Sequence, residues 1–385
     1  MSNEARKLDD FSLLGGPLHR LGQRLGLVRG GSNTVPLGLA LGVSCWSILL
    51  LLAAIEGIVD QVFSLSVIGG HVRLLVAIPL FFWCESLLDP RMAVFVHTIV
   101  RSGVVPDTVL PAFDAELARI RRWKDSWLPE SVCLLAAVVM STIAPVLPLL
   151  GSTATGPVAS EPGLTAQWYW LVCLTLFRFL VLRWLWRICL WSYFLWRVAR
   201  LELHLVPTHP DGAGGLGYLE VVHSEFALLI VALSSLQAAM LAESVVSGTT
   251  TPTAIYPAIA FVLVIEAAMF LGPMFVFAPQ LWLCRVKGLD TYMQLAARYV
   301  NEFERKWLGA AAIRPDELLG TGDVQSMADF ATSVGIVRDM RLIPVSQRLL
   351  VTFVASAVLP LLPLVLLFFP TDELAQRLLK MLFGL

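Results

Sequence analysis

Charged residues are scarce in this chain. Asp, Glu, Lys and Arg together make up 15% of its 385 residues, while apolar residues make up 57%. Soluble proteins carry about 25% charged residues, so the composition excludes an ordinary soluble globule of this length. The formal net charge is −1 and no run rich in Lys or Arg occurs. Nothing in the sequence therefore indicates that a nucleic acid is a partner.

Paired cysteines and the common enzyme signatures are also missing. The six cysteines stand singly within or at the ends of apolar runs, without a C-x-x-C pair, which argues against a disulfide framework. The chain has no phosphate-binding G-x-x-x-x-G-K-[ST] motif, no H-E-x-x-H zinc motif and no G-x-S-x-G nucleophile motif. We therefore expect no cofactor, and the sequence leans away from an enzyme without excluding one.

The chain contains long apolar runs in which charged residues are almost absent, unlike the sequence of a soluble protein. Runs such as Val35–Ile55 and Leu349–Phe369 are long enough to cross about 30 Å of hydrocarbon as helices. Seven transmembrane helices are predicted, at about 35–56, 72–100, 131–150, 168–196, 221–246, 256–284 and 349–370. The sequence therefore predicts an all-α polytopic membrane protein that has membrane lipids as partners.

Lys and Arg are concentrated on alternate sides of these predicted helices. The tail 1–34 and the segment 101–130 each contain five, and 285–348 contains nine, whereas the loops 57–71 and 151–167 contain none. Cytoplasmic loops of membrane proteins carry an excess of Lys and Arg. The N-terminus is therefore predicted to be cytoplasmic, and the expected location is a bacterial inner membrane.

Short motifs recur in the same order in two parts of the chain. VLPLL occurs at Val146–Leu150 and at Val358–Leu362, and P-x-S-x-x-L-L precedes both. Glu85–Phe95 and Glu266–Phe277 each contain a Glu, then Pro, Met and Val-Phe. The matches predict two parallel three-helix repeats joined by a linker helix, a 3+1+3 arrangement, with convergent Leu and Pro usage as the alternative. The predicted segments are a tail at 1–34, repeat 1 at 35–150, a linker helix and loop at 151–220, repeat 2 at 221–370 with a cytoplasmic insertion at 309–348, and a tail at 371–385.

Four glutamates lie at matching places in the two predicted repeats. Glu85 and Glu266 lie within the second helix of each repeat, and Glu56 and Glu243 end the first. An acid inside a span costs about 2.5–3.5 kcal/mol on insertion scales, so it needs a reason. The deep pair predicts an ion or proton path, and a bond to a neighbouring helix is the alternative. For the outer pair, Glu56 and Glu243, there are two interpretations: a position on the ion path, or a position at the membrane interface without such a role.

The second helix of each predicted repeat also contains proline. Asp89 and Arg91 flank a proline in the first repeat, and Gly272-Pro273 stands in the second. Proline removes a backbone donor, and discontinuous helices often border the site of a transporter. Asp89 and Arg91 are therefore added to the predicted path, with a packing kink as the alternative.

One arginine of the fourth predicted helix, 168–196, lies far from either end of its apolar sequence. Arg178 is ten residues into this helix. A cation at that depth is expected to pair with an acid. The candidate partners are Glu85, Glu225 and Glu266.

A glycine-rich loop, HPDGAGGLG at 209–217, precedes the fifth predicted helix. Backbone N–H groups before a helix can bind an anion or a lipid phosphate, and a structural tight turn is the alternative. The residues for such a site are His209, Asp211, Gly212, Gly214, Gly215 and Gly217. Weak candidates for a metal site are His204, His209, Asp211, His223 and Glu225, whose spacing matches no standard pattern. The HPD-x-AGGLG string resembles one in bacterial multi-spanning membrane proteins of unassigned function, and this resemblance implies no activity.

The sequence favours a transport protein, either an ion channel or a secondary transporter of a small ion or solute. One alternative is a membrane-embedded enzyme that acts on a lipid-linked substrate at the HPD loop. Another is a membrane sensor or scaffold that uses the 309–348 insertion. Gly38 and Gly42 form a G-x-x-x-G face, which allows close helix approach, so a homo-oligomer is also predicted.

Overall fold

The structure, a computed structural model, describes residues 34–143, 163–249, 252–308 and 322–364. These residues form helices and contain no strand. The predicted tails, the first VLPLL motif and part of the insertion, 309–321, lie outside the described residues. In chain order the helices are α1 (Val35–Glu56), α2 (Leu65–Arg101), α3 (Leu110–Asp125), α4 (Trp127–Ile143), α5 (164–198), α6 (Tyr218–Val246), α7 (Pro252–Leu271), α8 (Ala278–Trp307), α9 (Gly322–Asp339) and α10 (Gln347–Val358).

Five helices in the described part of the chain are long and apolar enough to cross a membrane. They are Val35–Glu56, Leu65–Arg101, Tyr218–Val246, Ile255–Trp307 and Gln347–Leu364. The fourth of these stretches comprises α7 from Ile255 onward together with α8, and the fifth extends α10 to Leu364. Trp127–Thr142, in the third predicted helix, is apolar but shorter. The fourth predicted helix forms α5, which carries four arginines and is not among the five. The all-α membrane class is therefore confirmed, while the arrangement of seven spans stays a prediction.

Local sequence explains where several helices begin and end. Pro36 stands in the first turn of α1, where a backbone N–H group would have no acceptor within the helix, so the absence of this group in proline costs no hydrogen bond. Gly57 ends α1 in the left-handed conformation, with φ of 70°, which glycine adopts without a Cβ clash. Two helices contain a π-helical turn, Val72–Ala77 in α2 and Tyr169–Cys173 in α5.

Helix α5 lies at the centre of the bundle. It packs against α2, α3 and α4, and against a 3₁₀ turn at Gly272–Phe277 that separates α7 from α8. Large apolar side chains fill its buried face, among them Phe177, Trp184, Trp191 and Phe194. Helix α6 packs against α2 and α10 on the other side of the core. The most arginine-rich long helix is therefore also among the most enclosed.

Contacts between loops define two ends of the bundle. At one, here called the Glu56 end, the end of α1 meets the start of α5, and the end of α6 meets the start of α2. At the other, the Asp211 end, the segment after α5 meets the loop after α2 and the segment between α9 and α10. This pairing of helix ends is what consecutive crossings of a membrane would give.

The third helices of the two predicted repeats do not pack alike. Helix α4 packs chiefly against α5, the linker. Helix α10 packs chiefly against α6, the first helix of its own predicted repeat. The described residues therefore do not confirm the duplication.

The G-x-x-x-G face of α1 packs within the chain. A Cβ on Gly42 would lie 2.3 Å from the carbonyl oxygen of Leu74, and one on Gly38 would lie 2.7 Å from the Cβ of Phe82. Both neighbours belong to α2. The face that was predicted to bind a second copy of the chain thus packs against α2 of the same chain. The prediction of a homo-oligomer therefore no longer has this face as support.

Replacing Gly42 by Ala is expected to destabilise the protein by about 1–3 kcal/mol, because the new methyl group meets backbone rather than a movable side chain. Gly335→Ala is the matched control, since its Cβ meets nothing within 4 Å and helical glycine gains stability from this change. The measurement is the midpoint of SDS unfolding in mixed micelles. Equal midpoints for the two variants would contradict the close contact of α1 with α2.

Candidate functional site

A buried carboxylate between α2 and α5 is bound by two arginines. Glu85 Oε2 lies 3.1 Å from Arg183 Nη1 and 2.8 Å from Arg187 Nη1. The side chains of Glu85 and Arg183 are 2% and 4% exposed. Arg187 also donates to Glu85 Oε1 at 3.0 Å. The carboxylate predicted to face an ion path is therefore saturated by guanidinium groups.

Helix α4 joins this ion network through Glu130. The Glu130 Oε1 atom lies 3.4 Å from Nε of Arg183. Two carboxylates thus balance two guanidinium groups among the described residues of the network, and buried charges persist only when they are paired in this way. The network connects α2, α4 and α5, so its first role is to hold three helices together.

The prediction that Arg178 pairs with Glu85, Glu225 or Glu266 is wrong. Arg178 Nη1 donates to the hydroxyl of Ser141 at 3.0 Å, while Arg183 pairs with Glu85. The relevant sequence signal was the spacing of Arg183 and Arg187. Residues four apart lie on one face of a helix and can therefore bind one carboxylate together.

Asp89 and Arg91 lie in different surroundings. Arg91 Nε lies 3.3 Å from Glu225 Oε1 at the start of α6, with half of the arginine side chain exposed. Asp89, Glu85 and Arg187 line a cavity of about 20 Å³, which has room for one water molecule. Helix α2 continues through Pro90. The break predicted there is absent, and the irregular turn of α2 is the π-helical Val72–Ala77.

The break predicted near Gly272-Pro273 is present. Helix α7 ends at Leu271, and Gly272–Phe277 forms a 3₁₀ turn before α8 begins. The carbonyl oxygen of Phe270 bonds to Nδ1 of buried His223 at 2.8 Å. A side chain of α6 therefore satisfies a backbone oxygen next to the break.

Glu266 lies one turn before Phe270 and is 4% exposed. Its two oxygens accept weakly from the hydroxyl of Ser234 on α6, at 3.4 Å each. Within the described residues no cation pairs with it. Glu266 and Glu85 therefore share no partner and differ in environment, although the predicted repeat made them equivalent.

A groove of about 740 Å³ runs beside the broken helix. Leu185, Cys189 and Trp196 of α5 form one wall, and Met269, Pro273 and Val276 form the other. The groove is open and almost wholly apolar. The 3₁₀ turn at Gly272–Phe277 therefore lies at the surface of the bundle, along this groove.

The two outer glutamates bond to the N-termini of other helices. Glu56 accepts hydrogen bonds from the backbone N–H groups of Leu164 and Thr165, at the start of α5. Glu243 accepts from Gly69 N at 2.7 Å, near the start of α2. Carboxylates stabilise helix N-termini because unpaired N–H groups gather there. Both residues therefore have a structural partner at the Glu56 end.

The HPD loop forms a ring of N–H groups, and its own aspartate occupies that ring. Asp211 accepts from the backbone N–H groups of Ala213 at 2.8 Å and Gly217 at 2.7 Å, and from Gly215 at 3.1 Å. Gly215 has a φ of 100° and contacts Val104 so closely that a Cβ would lie 2.5 Å from it. The predicted anion is thus supplied by the chain itself, and the loop is a tight structural turn.

Arg341, between α9 and α10, holds the loop from outside. It donates from Nη2 to the Asp211 carbonyl at 2.6 Å and from its backbone N–H to the Gly212 carbonyl at 2.8 Å. Its Nη1 also lies 2.9 Å from Glu220 Oε2. Val206 donates to the carbonyl of Gly214. The loop is therefore tied to the C-terminal part of the predicted insertion, 309–348.

The weak metal candidates are dispersed. His209 lies beside Asp211, at 2.8 Å, but His204 is on a separate stretch whose N–H bonds to Val104. His223 is inside the bundle, and Glu225 pairs with Arg91. The described residues contain no group of three or more His, Cys, Asp or Glu side chains able to hold a metal ion.

Asp211→Asn is expected to destabilise the protein by about 1.5–3 kcal/mol near neutral pH, the usual value of hydrogen bonds to a charged group. Burial raises the pKa of the Asp211 carboxyl, but the N–H bonds from Ala213, Gly217 and Gly215 outweigh it, so the pKa lies below its ordinary 3.8. This stabilisation is present above the unfolded-state pKa and is lost as the pH falls through the lower folded-state value.

The measurement for Asp211→Asn is the thermal unfolding midpoint between pH 3 and 7. The deficit relative to wild type should be constant at neutral pH and should shrink in the acid range. Asp107→Asn, at an exposed position in another loop of the same end, is the control. A deficit that is independent of pH down to 3 would contradict the assignment of charge to this turn.

Helices of membrane-spanning length around a buried ion network define an all-α integral membrane protein. No family model, curated protein or solved structure matches the chain.

Proposed function

We propose that this chain is a transport protein of a bacterial inner membrane, with Glu266 as the carboxyl that binds a proton or a small cation. With the predicted seven spans and cytoplasmic N-terminus, the Asp211 end would lie at the cytoplasm, in agreement with the distribution of Lys and Arg. The Glu56 end then faces the opposite side.

The environment of Glu266 carries the proposal. This carboxyl is buried in an apolar helix, has one hydroxyl as its partner and lacks a cation among the described residues. An acid without a counter-charge is costly inside a membrane and commonly marks an ion or proton pathway. Glu85 has two arginines and needs no further partner, so the proposal rests on Glu266 alone.

The broken helix supports a transport role for this carboxyl. Glu266 lies six residues, a little under two helical turns, before the 3₁₀ turn at Gly272–Phe277. In transporters, the ends of discontinuous helices and the unwound backbone between them provide groups that bind the ion or substrate.

The alternative of an enzyme at the HPD loop has lost support. The carboxylate of Asp211 is taken up by the loop's own N–H groups, and Arg341 covers the loop. No comparable observation favours a sensor or scaffold. Transport is therefore the function to test first.

The test is ion flux through the purified chain in liposomes of phosphatidylethanolamine and phosphatidylglycerol. Internal dyes report H⁺, Na⁺ and K⁺ under an imposed diffusion potential or a pH gradient. We expect flux of at least one of these ions above that of protein-free liposomes. Absence of flux for all three ions, with correctly folded protein, would reject the proposal.

A further inference from the structure

In the half of the bundle at the Glu56 end, two arginines lie close together, and neither has a carboxylate in ion-pair contact among the described residues. Arg73 belongs to α2 and Arg178 to α5, and their positive charges repel each other. Arg73 Nη1 donates to the hydroxyl of Tyr169 at 2.6 Å. Arg178 Nη1 donates to the hydroxyl of Ser141 at 3.0 Å. Both side chains are half-buried.

Most of the donors on these two guanidinium groups remain unused. Each guanidinium has five N–H donors, and in the described part of the chain each makes one hydrogen bond, to a neutral hydroxyl. Ser141 offers nothing further, since its hydroxyl also receives a bond from Thr175 at 2.8 Å and donates to the Ala137 carbonyl. Among the described residues, four of the five N–H donors on each guanidinium group therefore lack an acceptor.

The surrounding groups do not balance the two positive charges. Glu243 attracts Arg73 electrostatically but lies beyond ion-pair distance and bonds to Gly69. His71 adds no charge, because its Nδ1 accepts a bond from Trp46 while Nε2 faces the Val62 carbonyl. Among the described residues, one positive charge at this place thus has no balancing negative charge. Such a charge is costly in a low-dielectric environment unless an anion accompanies it.

Local backbone geometry brings the groups together. Arg73 lies in the π-helical turn Val72–Ala77, and Tyr169 lies in the π-helical turn Tyr169–Cys173. Such turns are rare and occur often at functional sites. Here two of them, on different helices, carry the side chains that bond to each other.

We propose that Arg73, Arg178 and Tyr169 bind a small oxoanion of the phosphate type. Guanidinium groups match the geometry of such oxygens with paired N–H donors, and the tyrosine hydroxyl can turn its proton toward the ligand. Free phosphate and the phosphate of a lipid headgroup share this chemistry. The site does not depend on Glu266 or on transport.

The experiment measures binding rather than flux. Full-length protein in a neutral maltoside detergent is titrated with sodium phosphate, balanced with sodium chloride to constant ionic strength, and its unfolding midpoint is followed by tryptophan fluorescence. In a second arm, phosphatidylglycerol replaces phosphate, and diacylglycerol is the phosphate-free lipid. A ligand that binds only the folded state raises the midpoint in a saturable way.

Arg178→Gln and Arg73→Gln are each expected to raise the apparent dissociation constant about tenfold or more, as loss of a charge-assisted bond does. Arg200→Gln is the matched control, because Arg200 is exposed, stacks on Trp196 at 3.9 Å and lies beyond the far end of α5. If either Gln variant fails to fold, Arg178→Lys is measured instead. Lys keeps the positive charge but lacks the paired N–H donors of the guanidinium group, so it should weaken binding several-fold.

A saturable response to phosphate supports a free anion, and one to phosphatidylglycerol alone supports a lipid phosphate. The absence of a saturable response in both arms overturns the site. An equal loss of response in Arg200→Gln overturns it as well. Binding without ion flux would reject the proposed transport function and keep this site, and flux without binding would do the reverse.

Discussion

Glu85→Gln is expected to destabilise the folded protein by about 3–5 kcal/mol, the usual cost of removing one partner from a buried ion pair. The change leaves Arg183 and Arg187 facing a neutral amide, and among the described residues Glu130 is then the carboxylate in ion-pair contact with Arg183. The Arg183 side chain is 4% exposed and that of Arg187 is 11% exposed, so little solvent is available to stabilise the charge left without a partner. The expected readout is an earlier midpoint of SDS unfolding, followed by tryptophan fluorescence.

Arg178→Gln provides the comparison for Glu85→Gln. It removes a bond to the Ser141 hydroxyl, a loss of about 1 kcal/mol, and it also removes one unbalanced charge. Glu85→Gln should therefore be clearly the less stable of the two. Replacing Glu85, Glu130, Arg183 and Arg187 together by Met should recover much of the loss, because no charge of this network then stays unpaired. A stable Glu85→Gln variant would show that the ion network does not hold the helices.

Composition was sufficient to predict the class of this protein, because apolar runs of about 20 residues have few other uses. The partner of Glu85 was not predictable in the same way. Arg178 and Arg183 lie on one helix, about 8 Å apart along its axis, and either could face an acid on a neighbouring helix. Which one does so depends on how α2 and α5 are placed along the bundle, and tertiary packing decides that placement.

Local motifs showed a second limit of sequence reasoning. The glycines of the HPD loop correctly indicated a concentration of backbone N–H groups. Their acceptor turned out to be Asp211, two residues before the first of these donors. Gly38 and Gly42 likewise indicated close helix approach, and the approaching helix is α2 of the same chain. In both cases the chemistry was predictable and the partner was not.

The two deep glutamates are distinguished only by their surroundings. Sequence placed Glu85 and Glu266 at equivalent positions, each upstream of a proline. In the structure Glu85 has two arginines on α5, while Glu266 has Ser234 on α6. A carboxylate with two cations is a structural group, whereas one without a cation is free to exchange a proton or bind an ion. The expected effects of the same substitution at the two sites therefore differ in kind.

Glu266→Gln is expected to reduce ion flux in liposomes at least tenfold while leaving the unfolding midpoint close to that of wild type. Gln keeps the size of the side chain and can still accept from the Ser234 hydroxyl, but it neither carries a proton nor attracts a cation. Glu302→Gln, at an exposed position on α8, is the matched control and should leave flux unchanged. Ser234→Ala removes the hydroxyl that contacts Glu266 among the described residues and should shift the pH dependence of flux without abolishing it. Wild-type flux in Glu266→Gln would show that the pathway lies elsewhere, and a large loss of stability would assign Glu266 the structural role that Glu85 has.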